Sequence, residues 1–136
     1  MNSEKTESLD TNAILRFILG DNKAQQNKVL QLLLRPNVNY YIDDLTFFEV
    51  VYILSSDNYN LSRESIANFI EIVFKRLNII GNYELISKTA NFYAAHPKLS
   101  WADCYLSIKS AQLNHTPFWT FDKKLANQSE HAKLIS

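Results

Sequence analysis

Apolar residues repeat at helical spacing in six stretches of the chain, separated by short polar or proline-containing segments. The first stretch predicts a helix from about Asn12 to Gly20, and the second predicts a helix that ends at Arg35 because Pro36 cannot continue it. The other four predicted helices are residues 45–55, a segment capped by Ser62 whose apolar stripe reaches Leu77, residues 84–95, and a segment capped by Ser100.

Short β-favouring segments lie between these helices, at residues 40–42, 78–80 and 118–121. Strands that alternate with helices indicate parallel pairing, so the predicted fold class is α/β, with a central parallel β-sheet flanked by helices. The residues before Asp10 should form the first strand. That segment, from Lys5 to Leu9, is polar, which is unusual for a buried central strand.

Composition adds a size class and a charge pattern. The chain has 136 residues, 46% of them apolar, which predicts a single domain over residues 1–136. Fourteen basic and fourteen acidic residues cancel, but residues 1–68 hold six Lys and Arg against nine Asp and Glu, and residues 69–136 hold eight against five. This polarity is weak evidence for an anionic partner.

The same sequence argues against a membrane or secreted protein. Its longest apolar run, Val50 to Leu54, is far shorter than the roughly 20 residues that span a bilayer. The polar start has no signal-peptide pattern, and the lone Cys104 cannot form an intramolecular disulfide. We therefore expect a cytoplasmic protein with no membrane partner, in which Cys104 is a small core side chain.

Four acidic residues stand where chemistry is expected. Asp10 and Asp122 each follow a predicted strand and open a helix, the position where ligands collect in a parallel sheet, although a simple N-cap explains either one alone. Glu49 has apolar helical neighbours, so its carboxylate needs a partner or an outlet to water. Asp103 shares a helix face with Ser107, which indicates either a wet cleft or an ordinary solvated face.

The stretches LDTNAILRFILGDN at Asp10, EVVYIL from Glu49, WADCYLSIKSAQ at Asp103 and PFWTFDKKL at Asp122 resemble, in this order, the PIN-domain family. The resemblance covers nearly the whole chain and is closest to the ribonuclease toxins of VapC-type toxin–antitoxin pairs. It implies an acidic pocket that binds Mg²⁺ or Mn²⁺, with those four acids as catalytic residues and metal ligands. One position departs from many relatives, because Ser100 stands where they carry a further acid.

The resemblance also suggests polar side chains that support the acids, namely Asn12 and Thr120. A cation is needed on physical grounds if the acids converge, since two carboxylates about 4 Å apart repel by roughly 4 kcal/mol at an effective dielectric of 20. Mg²⁺ suits such an all-oxygen site and keeps several waters. The sequence shows neither histidines at metal-ligand spacing nor a glycine-rich phosphate loop that would indicate other chemistry.

Substrate contacts are predicted at three cations. Lys123 and Lys124 stand in the first helical turn after Asp122, where the helix dipole disfavours positive charge, and Arg16 lies about one turn after Asp10. Each could hold a phosphate or simply be solvated. Three aromatic residues could stack on bases, but core packing is the favoured role for each of them: Trp101, Tyr105 and Trp119.

The leading hypothesis is a metal-dependent endoribonuclease that hydrolyses RNA, the toxin of a toxin–antitoxin pair. Family resemblance suggests a homodimer and a cognate antitoxin, and apolar residues such as Phe17 and Leu32 would form either a partner surface or core. A second hypothesis keeps the fold but makes the chain a protein-binding module with a degenerate acidic site. A third, a phospho-acceptor receiver domain, would use Asp43 and Asp44 but lacks the expected Lys at a late strand end.

Overall fold

The computed structural model of the protein describes residues 4–76 and 78–136, and these residues form seven helices and five strands, with one or two helices between successive strands. In chain order the elements are β1 (Lys5–Ser8), α1 (Thr11–Leu19), α2 (Lys23–Leu33), β2 (Val38–Ile42), α3 (Asp44–Ser55), α4 (Arg63–Phe74), β3 (Ile79–Gly81), α5 (Tyr83–Ala95), α6 (Trp101–Gln112), β4 (Phe118–Thr120), α7 (Lys123–Gln128) and β5 (Ala132–Leu134). The predicted α/β class is confirmed. Leu77, predicted to extend the apolar stripe of α4, lies outside the described residues.

Capping side chains decide where most helices begin. The Ser62 hydroxyl accepts the Ser65 N–H at the start of α4, and the Ser100 hydroxyl accepts the Asp103 N–H at the start of α6, which confirms both predicted caps. Helix α1 ends at Gly20, whose φ of 65° is the left-handed conformation that glycine adopts at helix ends. The helix boundaries therefore follow local sequence signals.

The larger sheet is parallel and has the order β1–β2–β3. Its central strand carries Tyr40 and Ile42, which are almost completely buried, and the neighbouring β3 buries Ile79. Helices cover these side chains with a core that includes the fully buried Phe47 and Leu54 of α3. Burial of this apolar surface, at about 25 cal/mol per Å², is the main stabilising term of the fold.

Strand β1 is an edge of this sheet and not the buried central strand expected from the sequence. It pairs only with β2 in the described residues, and Lys5, Thr6 and Ser8 are exposed. The half-buried Glu7 lies between two cations, Lys5 at 3.3 Å and Arg35. An edge strand with one open side needs few apolar residues, which explains the polar sequence.

Strands β4 and β5 form a second, two-stranded parallel sheet. Strand β5 follows α7 and was not predicted, because three residues give too short a pattern. Phe17 and Leu32 pack against the core, so core filling accounts for these two apolar residues without a partner. Within the described part of the chain, no helix is both long and apolar enough to cross a membrane.

Candidate functional site

Thr11 links Glu49 to the turn that carries Asp10. The Asp10 side chain caps α1 by accepting the Ala13 N–H at 2.9 Å, which holds the end of β1 and the start of α1 in a fixed turn. The next residue, Thr11, donates its hydroxyl to Glu49 Oε2 at 2.6 Å. Because Glu49 lies on α3, this bond ties the turn that carries Asp10 to a second helix.

Glu49 is exposed, and the apolar neighbours that its position suggested do not enclose it. Its carboxylate therefore keeps most of its hydration, and the hydroxyl of Thr11 supplies the partner that sequence reasoning required. Thr11 is the contact that sequence analysis missed. Thr11 is the middle residue of the Asp–Thr–Asn triplet, which the sequence analysis had already singled out. Its hydrogen-bond partner, however, can be identified only from the tertiary structure.

Asp122 is held in the same manner as Asp10, at the start of a helix. Its Oδ1 accepts the N–H groups of Lys124 at 2.8 Å and Leu125 at 3.3 Å, and its own N–H donates to the Thr120 hydroxyl at 2.9 Å. Thr120 thus contacts the backbone of the acid that it was predicted to support. The exposed carboxylate of Asp122 is fixed at the end of β4.

Asp103 lies half-buried in the first turn of α6, directly before a residue of the core. The next residue, Cys104, is fully buried, and burial raises the pKa of its thiol to about 12, so its expected role as a core side chain is confirmed. Ser107 is also buried, with its hydroxyl 2.5 Å from that of Ser129. A wet cleft at Ser107 is therefore wrong, since this hydroxyl belongs to the interior.

The four carboxylates do not form a ready-made metal cage. Across residues 4–76 and 78–136, no group of three or more Asp, Glu, His or Cys side chains is arranged to hold a metal ion. The donor set at Asp10 and Glu49 nevertheless fits Mg²⁺, which accepts one or two carboxylates and keeps several waters. Both carboxylates are exposed to solvent.

The predicted cations occupy different environments. Arg16 donates to Asp21 at 2.5 Å, and this contact is the main reason that the pKa of Asp21 is lowered and that of Arg16 is raised. Lys123 and Lys124, at the start of α7, are exposed. Asn12 is exposed on α1 and lines a cavity of about 220 Å³ with Arg16.

Asp43 and Asp44, which suggested a phospho-acceptor, have structural partners. Asp43 caps α3 through the Leu45 N–H at 2.9 Å. Asp44 Oδ2 accepts the hydroxyl of Tyr105 at 2.6 Å, and burial, followed by this contact, raises the pKa of that phenol. Lys109 donates to the same phenol at 3.3 Å.

The aromatic candidates divide into two groups. Trp101 is 5% exposed and Tyr105 is 7% exposed, and both pack on Phe48, as expected for core residues. Trp119 is 54% exposed, so its expected core role is wrong. The sequence of a three-residue strand does not show which face of the sheet packs against the core. The exposure of Trp119 could therefore not be predicted from the sequence.

The family model of the PIN domain matches residues 8–130. The chain belongs to the PIN domain family. PIN domains are generally nucleases that act on nucleic acid and typically use divalent metal ions. This membership removes the receiver-domain hypothesis, and the matched range contains all four predicted acids of this PIN domain.

No curated protein matches this PIN domain. The family is therefore established by the match along the chain, together with the parallel sheet and its flanking helices.

Proposed function

We propose that this PIN domain is a metal-dependent endoribonuclease that uses Mg²⁺ or Mn²⁺. The observation that carries this proposal is the hydrogen bond from Thr11 to Glu49, which links the turn of Asp10 to α3. It fixes two carboxylate-bearing elements against each other, as a nuclease site requires. Under this proposal Asp10, Glu49, Asp103 and Asp122 are the catalytic and metal-binding acids.

The acids and the polar residues beside them would have different roles in the proposed site. Asp10 and Glu49 would hold the ion, with Thr11 and the α1 cap keeping both in place. A bound divalent ion lowers the pKa of a coordinated water and neutralises charge that develops on a phosphodiester. Asp103 and Asp122 would approach the same ion or accept a proton, and Asn12 and Thr120 would support the acids.

Arg16, Lys123 and Lys124 are proposed to contact substrate phosphates. The two lysines suit this role because they are exposed directly after Asp122. Arg16 would need to share its guanidinium with Asp21, which already accepts from it. Lysine contacts should therefore matter more than the arginine contact for RNA affinity.

One observation favours the competing function of a protein-binding module. Asp10 and Asp122 are both satisfied as helix caps, and no three acids of the described residues form a metal-binding group. In that case the acids would have only a structural role. The two functions differ in their response to metal, which can be measured directly.

The experiment compares RNA cleavage and thermal unfolding in Mn²⁺ and in EDTA for the wild type and Asp10→Asn. Asparagine caps helices as well as aspartate, so the fold should remain while cleavage falls roughly 100-fold or more. Asp43→Asn is the matched control, since it makes the same change at the cap of α3. Wild-type protein that gains neither melting temperature nor cleavage from Mn²⁺ would establish the binding module.

We also propose that the enzyme is a VapC-type toxin, cytoplasmic and homodimeric, with a cognate antitoxin. Support comes from the sequence resemblance around the four acids and from the lone, buried Cys104, which suits a reducing compartment. Induced expression should arrest growth of a bacterial host, whereas Asp10→Asn should not. Equal arrest by both proteins would contradict the toxin role, and sedimentation of the purified protein tests the dimer.

A further inference from the structure

The small sheet of β4 and β5 has one covered face and one open face. Phe118 and Ala132 pack against the core, and Thr120 and Leu134 are partly buried on the same side. The alternate residues Trp119 and Lys133 are exposed, because successive side chains of a strand point to opposite faces, and the residues that follow the two strands at the same spacing, Phe121 and Ile135, are exposed as well. The open face carries, by fractional exposure, Trp119 at 54%, Phe121 at 76% and Ile135 at 39%, together with the exposed Lys133.

The two aromatic residues of this face do little for the stability of the fold. The other tryptophan of the chain, Trp101, is only 5% exposed and packs in the core. Full burial of a large apolar side chain stabilises a protein by about 1.5–3 kcal/mol, and Phe121 forgoes most of that gain. An exposed pair of rings separated by one residue therefore calls for an explanation outside the core.

A lysine lies beside one of these rings. Lys133 is the register partner of Trp119, and its Nζ lies 5.5 Å from the centre of the Trp119 ring. Two further exposed lysines, Lys123 and Lys124, follow Phe121 after a single residue, but Lys123 lines a groove with Leu134, which belongs to the covered side. The residue between Phe121 and Lys123 is Asp122, and one oxygen of its exposed carboxylate accepts the N–H groups of Lys124 and Leu125. An aromatic plane beside a lysine offers a stacking surface for a base and a charge for a phosphate.

We infer that the open face of β4 and β5 binds single-stranded nucleic acid, with bases stacked on Trp119 and Phe121 and a phosphate held by Lys133. This inference rests on the proposed function for the choice of RNA and for the place of Asp122 in the catalytic site. Phe121 directly precedes Asp122, so the inferred face adjoins the turn that carries one of the proposed catalytic acids. The substrate is then unpaired RNA, because the bases of a duplex stack on each other and not on the protein.

The experiment measures binding in EDTA, where metal-dependent cleavage is absent. A labelled oligouridine of about eight nucleotides is titrated by fluorescence anisotropy, a length within the usual span of single-strand binding surfaces. Trp119→Ala should weaken binding roughly 5- to 100-fold, while Trp119→Phe should restore most of the affinity. Tyr83→Ala removes an aromatic residue of similar exposure, 47%, beside β3, and it should bind as the wild type does.

The intrinsic fluorescence of the protein gives a second readout. Stacking should quench the exposed Trp119 and leave the buried Trp101 unchanged, so the quenching should vanish in Trp119→Phe even though RNA still binds. Single-stranded DNA of the same sequence should bind comparably, because stacking does not read the 2′-hydroxyl, and duplex RNA should bind more weakly. Lys133→Ala should lower the salt dependence of binding by about one phosphate contact.

The results separate this inference from the nuclease proposal. Unchanged affinity in Trp119→Ala overturns the stacking face even if metal-dependent cleavage is found. Stacking without any cleavage in Mn²⁺ keeps the face but removes the nuclease. If Trp119→Ala instead dissociates a dimer in sedimentation and leaves RNA affinity unchanged, the face is a contact between copies and the inference is wrong.

Discussion

The two sheets of this protein differ in what covers them. In the larger sheet, β2 is paired on both sides and its Tyr40 and Ile42 are buried among helices. In the smaller sheet, no residue of β4 or β5 is fully buried, and Trp119 stands in solvent. Both sheets are parallel and both carry aromatic residues, yet the aromatic side chains have different environments.

This difference distinguishes aromatic residues that stabilise the fold from those that are free to bind a ligand. Tyr40 contributes apolar burial and two hydrogen bonds, to the Leu32 carbonyl and from Arg35, so the fold itself explains its presence. Trp119 contributes one cation–π contact with Lys133 and little burial. The covered sheet supports the position of Asp10 and Glu49, whereas the open sheet is available to a ligand.

The largest expected effect is on the covered sheet. Tyr40→Ala should lower the free energy of unfolding by about 3–5 kcal/mol, because it leaves a cavity under the helices and removes the hydroxyl that bonds Leu32 and Arg35. Urea denaturation followed by circular dichroism measures the change. A loss under about 1 kcal/mol would mean that this sheet is no better packed than the open one.

Gly81→Ala should have the next largest effect, at the edge of the same sheet. A Cβ at this position would lie 2.9 Å from the Ile42 carbonyl oxygen and 3.3 Å from Phe74, so β2 and β3 must move apart. We expect a loss of about 1–3 kcal/mol in the free energy of unfolding, again by urea denaturation. Gly20→Ala is the comparison, since the nearest atoms there are flexible side chains at 3.5 Å and the cost is the positive φ alone.

Helix boundaries and the turn at Asp10 could be predicted because both depend on residues that are close together in the sequence. The caps at Ser62 and Ser100 depend on the next three residues, and the turn at Asp10 depends on the short motif around it. Thr11 illustrates the limit, since its partner Glu49 is 38 residues away in the chain. Three-residue strands such as β5 give too few positions to establish a period.

The edge position of β1 gives a smaller, pH-dependent prediction. Hydrogen bonds from Arg35 and then Lys5 lower the pKa of Glu7 below its usual 4.5. The ionised carboxylate thus favours the folded state, so its contribution is fully present above the unfolded pKa and disappears as the pH falls through the lowered one. The difference in melting temperature between wild type and Glu7→Gln should be largest near neutral pH and vanish in acid. A constant difference at all pH values would exclude this linkage.

Trp119→Thr should have the smallest effect on stability and is the sharpest test of the comparison. Threonine favours strands, so β4 should remain intact, and the loss of an exposed ring should change the free energy of unfolding by about 0.5 kcal/mol or less. Urea denaturation of this variant and of Tyr40→Ala compares how much each sheet contributes to the free energy of unfolding. If Trp119→Thr were destabilising by more than about 1 kcal/mol, the ring would have a structural role on the open face. Its exposure would then no longer argue for a bound base, because the fold alone would explain why a tryptophan stands beside Lys133.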